Sequence, residues 1–184
     1  MLIQKDNPVG IDKQIAFLQK RLHDVLVNQF GWPSDGYYSY ERVYINVREG
    51  QRIPELYVGS SDAKNNEYRE IYFNDNHIAE SYFVVEDNRP NIAGSSMYQA
   101  TVGLIFQVDL RKLFPSLEHR GDEEVHRQVQ IALQGFRSVL GEITGLITGL
   151  ACYTGLDTRQ IQQTDMHPCH VFRFNFNVPY IYNC

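Results

Sequence analysis

The sequence predicts an α+β domain in which an N-terminal helix and a second helix near residues 122–137 cover an antiparallel or mixed β-sheet. Three observations predict it. Ile11, Ile15, Leu18, Leu22, Val25 and Leu26 fall on one stripe at helical spacing. Val102, Leu104, Phe106 and Val108 alternate with polar or small residues, which is the pattern of a core strand. The order runs helix, about five strands, helix, a short ambiguous segment and a final strand; helices not interleaved one for one with strands disfavour a parallel doubly wound sheet.

The elements follow in turn. Residues 11–30 form the first helix, stopped by Gly31-Trp32-Pro33. Residues 38–47 are rich in Tyr and Val and read as strand, with a turn at Arg48-Glu49-Gly50-Gln51 and a short strand at 54–59. Residues 60–66 are a polar loop. Tyr68, Glu70 and Tyr72 alternate with Arg69, Ile71 and Phe73, and Asn74-Asp75-Asn76 turns the chain into a strand at 79–86. Residues 87–96, with Pro90 and Gly94, read as a loop, and 100–110 as the best core strand. Val125, Val129, Ala132, Leu133 and Phe136 give residues 122–137 an apolar face. Asp122, Glu123 and Glu124 complement the dipole of its first turn. Residues 143–153 fit a short helix or a strand. In residues 170–182, Phe172, Phe174, Phe176 and Val178 alternate with Val171, Arg173, Asn175 and Asn177.

A chain of 184 residues is a comfortable size for a single domain, 1–184. Twelve Tyr and ten Phe against one Trp lean the composition towards sheet and towards interfaces. A net charge of −5 argues against general nucleic-acid binding. No segment approaches the about 18 apolar residues of a membrane span, and the first ten residues lack a signal-peptide pattern, so synthesis and use in the cytoplasm are expected. Cys152, Cys169 and Cys184 are odd in number and lack CxxC spacing, which predicts free thiols.

Candidate chemistry is sparse. Gly141, Gly145, Gly149 and Gly155 are not followed by the Lys of a phosphate loop. His119, Glu123 and His126 form the sharpest metal candidate, with Glu123 and His126 at i,i+3. A metal-dependent hydrolase using them, with His167 or His170, is the alternative reading. Di-metal bundle sites need a second such motif and further carboxylates, and His126 lies off the centre of the apolar face, so a solvated position is expected for it. His167-Pro168-Cys169-His170 concentrates ligand and nucleophile types, but neighbours on a strand point to opposite faces. A turn into the last strand is the expected reading. No metal, cofactor or catalytic residue is therefore expected. A small-ligand or adaptor module with a sheet-face pocket is a third reading.

The N-terminal amphipathic helix, the aromatic strand set, the strand at 100–110, the helix opening Arg120-Gly121-Asp122-Glu123-Glu124-Val125 and the closing strand together resemble tail-terminator and head–tail connector proteins of tailed bacteriophages. Asn7-Pro8-Val9-Gly10-Ile11-Asp12, VDLRKLFPSLEHRGDEEVH from Val108 and MHPCHVFRFNF from Met166 resemble structural proteins of Bacteroidetes phages, the crAss-like group included. The resemblance implies a tail-terminator-like fold and a virion ring, hexameric or dodecameric, in the neck or tail. It implies portal, adaptor or tail tube proteins as neighbours, DNA passing through the channel without sequence-specific binding, and no catalysis. The Tyr-rich region 37–86 exceeds the compact terminator pattern and suits a ring-to-ring contact arm. Tyr37, Tyr38, Tyr40, Tyr44, Arg48, Arg52, Tyr57 and Tyr82 are the expected subunit-interface residues, chosen because they are aromatic or loop-borne.

Overall fold

The computed structural model describes residues 1–48, 50–59, 67–90, 96–116, 119–136, 141, 143–154, 156 and 166–181. Helix α1 (Ile11–Phe30) buries Ile11, Ile15, Leu18, Leu22 and Leu26, as the stripe predicts. Gly31 ends it in the left-handed region (φ 72), and the Trp32 N–H closes onto the Leu26 carbonyl at 3.1 Å. Strands β1 (Tyr37–Arg42), β2 (Tyr44–Arg48), β3 (Gln51–Tyr57) and β4 (Tyr68–Glu70) follow, then the long β5 (Ala79–Pro90) and β6 (Met97–Asp109). A one-turn helix α2 (Leu110–Leu113) and α3 (Gly121–Gln134) lead to β7 (Ile143–Thr148), a 3-10 turn (Gly149–Tyr153) and β8 (Cys169–Ile181).

Five strands form one mixed sheet in the order β1-β5-β6-β8-β7, with β1 parallel to β5 and the other pairs antiparallel. Strands β2, β3 and β4 form a smaller antiparallel sheet. The strand period then divides the core between two faces. Val102, Leu104, Phe106 and Val108 of β6 and Phe172, Phe174, Phe176 and Val178 of β8 meet α1 and α3 on one face. Tyr82 and Val84 of β5, Ile105 of β6 and Val171 of β8 face the other way. There they are covered by Leu56, Ile71, Cys152 and Tyr153 from the small sheet and the 3-10 turn. The result is three layers: helices, the five-stranded sheet, and the small sheet with its 3-10 neighbour.

The helix layer is pinned by polar contacts as well as by burial. Trp32 meets Tyr37 and Phe106 edge-on at 4.9 and 6.0 Å, and its Nε1 donates to Gln128 Oε1 of α3 at 2.7 Å. Gln19, buried within the apolar stripe of α1, donates to the carbonyls of Ile3 (3.0 Å) and Ser39 (2.7 Å) and accepts from Gln4 at 3.0 Å. It holds residues Met1 to Ile3 along β1, where Ile3 N–H meets the Ser39 carbonyl and Ser39 N–H the Met1 carbonyl, both at 2.9 Å. That edge of the sheet is thereby covered. At the other edge is β7, which pairs only with β8 among the described residues.

Several expectations are corrected. Residues 87–90 continue β5 and pair with 98–101 of β6 beyond an irregularity after Val85. Their polar side chains are exposed, so the hairpin needs no alternation there. Of the alternating run after Tyr68 only Tyr68–Glu70 pairs as strand, because β3 supplies only Glu55, Leu56 and Tyr57 as partners. The ambiguous segment is strand first and 3-10 turn after, the change falling at Gly149 with φ 68. The second helix starts at Gly121 and ends at Gln134. Asp109 caps the unforeseen α2 by accepting from the N–H groups of Arg111 and Lys112 at 3.0 and 3.1 Å. The expected loop at 60–66, Cys184 and Gly155 lie outside the described residues.

Candidate functional site

A concavity of about 750 Å³ opens where α2, the first turn of α3, the end of β7 and the start of β8 meet. The sequence places His119, His126, His167 and His170 in three separate segments, and the fold brings all four to this one cavity. His170 shares the strand parity of Phe172 and Phe174, so it points to the helix side, where α3 presents His126. The two imidazole Nε2 atoms lie 2.9 Å apart, one donating and the other accepting, and both residues are buried at 9% and 8% exposure. Phe172 fixes both rings, lying edge-on to His126 at 4.7 Å and stacked with His170 at 5.6 Å.

This corrects the expectation that His126 is solvated. Its position beside Val125 is off-centre on the helix, but β8 closes over that flank. The metal cluster foreseen within the loop and helix does not assemble as such. His119 is exposed and its Nε2 lies 3.4 Å from Glu124 Oε2, while Glu123 points to solvent. Among the described residues, no three His, Cys, Asp or Glu side chains converge closely enough to hold a metal ion.

Cys169 and His170 are successive in β8, opposite Asp109 and Val108 of β6, so they diverge as the strand geometry predicts. Burial, together with the carboxylates of Asp109 and Asp75, pushes the Cys169 thiol above its ordinary value. That is the reverse of what an activated nucleophile requires. Glu124, by contrast, is pulled down to about 2, chiefly by hydrogen bonds from Arg127 at 2.8 and 2.6 Å. Gln128 Nε2 also donates to it at 2.7 Å, which completes a chain from Trp32 through Gln128 to the helix surface.

The expected interface residues separate into two groups. Tyr37, Tyr40 and Tyr82 are at most 2% exposed and belong to the chain's own core, so they have no surface to offer a partner. Tyr37 bonds Ser81 Oγ at 2.8 Å, and Tyr40 accepts from Arg69 at 2.9 Å. Burial pushes both phenols up to about 12. Tyr38 is half-buried and stacks on His77 at 3.5 Å. Tyr44 is 56% exposed, and Arg48 and Arg52 reach solvent on the same β2–β3 hairpin, Arg48 with a 2.6 Å bond to Glu55. Tyr57 and Tyr44 gather around Tyr68 at ring distances of 5.7 and 5.6 Å, with the Lys5 ammonium over Tyr57 and Tyr68.

Two buried ionic groups escaped the sequence reading. Glu80 is fully buried and accepts from Arg69 (3.0 Å) and His77 (2.5 Å). Arg173, 1% exposed, donates to Asn175 Oδ1 (2.6 Å), the Cys152 carbonyl (3.1 Å) and Glu86. The only sequence signal for Arg173 was a charge at an inward position of an aromatic strand. No known protein family and no curated protein matches the chain.

Proposed function

We propose that this chain is a non-enzymatic ring subunit of a tailed-bacteriophage virion, placed in the neck or tail. The observation that carries the reading is the asymmetry of its two sheet edges. A closed ring built head to tail needs two different, complementary patches on each subunit. The β7 edge carries no further strand among the described residues and exposes Thr144, Leu146 and Thr148 on one face, with Leu150 just beyond. The β2–β3 hairpin, which follows β1 from the other edge of the five-stranded sheet, leaves Tyr44 and Val47 exposed. An open edge strand and a solvent-facing aromatic hairpin are the features by which sheets extend from one subunit to the next.

The resemblance to tail-terminator and head–tail connector proteins supplies the setting: six or twelve copies, with portal, adaptor or tail tube proteins above and below. A net charge of −5 suits a wall past which DNA slides without being gripped. The test is the mass of the purified protein by light scattering, repeated on Leu146→Arg and Tyr44→Ser. Rings in the wild type that are lost in either variant, with melting unchanged, support the reading. An unaltered mass in both variants removes these two edges from it.

A further inference from the structure

We propose that Tyr44, Tyr57 and Tyr68 form a binding site for a small alkylammonium ion, in which the chain's own Lys5 sits as a tethered stand-in. The inference is independent of ring formation. Its first support is where the strand register puts the rings. Tyr57 and Tyr68 stand directly opposite one another in β3 and β4, and Tyr44 of β2 stands opposite Glu55, two residues before Tyr57. Residues two apart on a strand share a face, so all three rings project from one face of the small sheet. Leu56, which separates Glu55 from Tyr57, points the other way into the core. The rings stand 5.6 Å (Tyr44–Tyr68) and 5.7 Å (Tyr57–Tyr68) apart, tilted or edge-on to one another and not stacked flat. The Lys5 ammonium lies over two of them, 4.9 Å from the Tyr57 centroid and 4.8 Å from that of Tyr68. Both distances fall within the about 6 Å over which an aromatic face attracts a cation. The chain itself therefore seats an ammonium among these rings.

The second support is that this occupant is held lightly. Its ion pair with Glu67 is long, 3.8 Å, and both side chains reach solvent, at 43% and 54% exposure. Exposed ion pairs contribute little, so a guest cation displaces Lys5 at small cost. The third support is the space beside it. A cleft of about 230 Å³ is lined by the three rings and by Lys5, with carboxylates from Asp6, Asp12 and Glu41 and apolar walls from Pro8, Val9 and Ile15. Aromatic faces and carboxylates suit an ammonium head, and the apolar walls suit an alkyl stem. The Tyr68 hydroxyl, and after it Glu67 and Tyr57, hold the Lys5 amine above its ordinary value, so the site favours the charged form. Sodium, small and tightly hydrated, loses more than an organic cation on leaving water for such a site. While Lys5 fills the cage, a guest enters only those molecules whose Lys5 side chain has swung out. Removing Lys5 raises the apparent affinity by the inverse of that fraction.

The test is titration of the full-length protein with n-butylammonium chloride, which reproduces the stem and head of a lysine side chain, followed by the amide resonances of β3 and β4. Sodium chloride and n-butanol at matched concentrations control for ionic strength and for the alkyl stem. Wild type and Lys5→Ala are compared with two double variants, Lys5→Ala with Tyr68→Leu and Lys5→Ala with Tyr44→Leu, with circular dichroism of each. The expected result is saturable binding of n-butylammonium to Lys5→Ala, at least about threefold tighter than to wild type. Each tyrosine substitution in that background weakens it more than about threefold, and neither sodium nor n-butanol saturates the site. Four results overturn the proposal: no saturable shift in folded Lys5→Ala, equal affinity in wild type and Lys5→Ala, an equal response to sodium or n-butanol, or affinity that a folded tyrosine variant leaves unchanged. Tyr44 is 56% exposed, so Tyr44→Leu decides the matter should Tyr68→Leu fail to fold.

Discussion

Gly103 of β6 lies directly beneath the guanidinium of Arg173 on β8, and a Cβ at residue 103 would overlap Nε, Cζ and Nη2 of that group. The two strands pair with Gly103 opposite Asn175, whose Oδ1 accepts from Arg173 Nε. A buried charge is tolerated only when its donors are satisfied. The missing side chain at Gly103 makes room for the group that Asn175, the Cys152 carbonyl and Glu86 then satisfy. Gly103→Ala is expected to cost on the order of 2–3 kcal/mol by displacing these charge-assisted bonds. The same change in an Arg173→Met background is expected to cost clearly less. Denaturant unfolding of the four proteins measures the coupling, and simple additivity would contradict the account.

Gln19 presents a similar dependence between helix and strand. Gln19→Leu keeps the volume but takes from the Ile3 carbonyl its side-chain donor, from the Ser39 carbonyl one of its two donors and from Gln4 Nε2 one of its two acceptors. A cost of about 1–3 kcal/mol follows from leaving buried polar groups unmatched. Faster hydrogen exchange at the Ile3 and Ser39 amides, both bonded in the strap along β1, is the specific signature. A loss of stability without that local change would place the effect elsewhere.

The Glu124 carboxylate sets an acid response. Its folded-state value, about 2, lies below its ordinary 4.5 because Arg127 and Gln128 donate to it. A group depressed on folding stabilises the protein above its unfolded value, and that contribution is lost as pH falls through the folded one. Glu124→Gln is therefore expected to flatten the pH dependence of stability between 4.5 and 2, with little change near neutrality beyond a lost surface pair. Urea midpoints across that window check it, and an unchanged slope would show that other carboxylates govern the acid limb.

The aromatic residues divide into core and surface, and substitution separates the two. Tyr82→Ala, in the core between the two sheets, is expected to cost about 3–5 kcal/mol. Tyr44→Ser, on the exposed face of β2, is expected to change the melting temperature little while weakening association. Thermal melts alongside sedimentation separate the two effects; a stability loss at Tyr44 equal to that at Tyr82 would contradict the placement.

What was legible in the sequence was what has a period. Helix α1 has the predicted bounds, and the alternations of β6 and β8 assign their faces as read. What was not legible depended on pairing between distant segments. The parallel β1–β5 contact and the continuation of β5 through polar residues 87–90 are decided by partner strands. The same holds at the candidate site: the sequence reads residues 167–170 as a turn into the last strand, and only the packing of β8 on α3 brings His170 to His126. Tyr37, Tyr40 and Tyr82 read as interface residues because aromatic composition does not distinguish a subunit contact from a second core layer.

The central claim is that this chain closes into rings, and its most direct test is absolute mass by light scattering after size exclusion, with negative-stain imaging of the same fractions. The account predicts closed rings of six or twelve subunits, as the resemblance to virion ring proteins implies. A monomer at high concentration that also fails to associate with neighbouring virion proteins would contradict it.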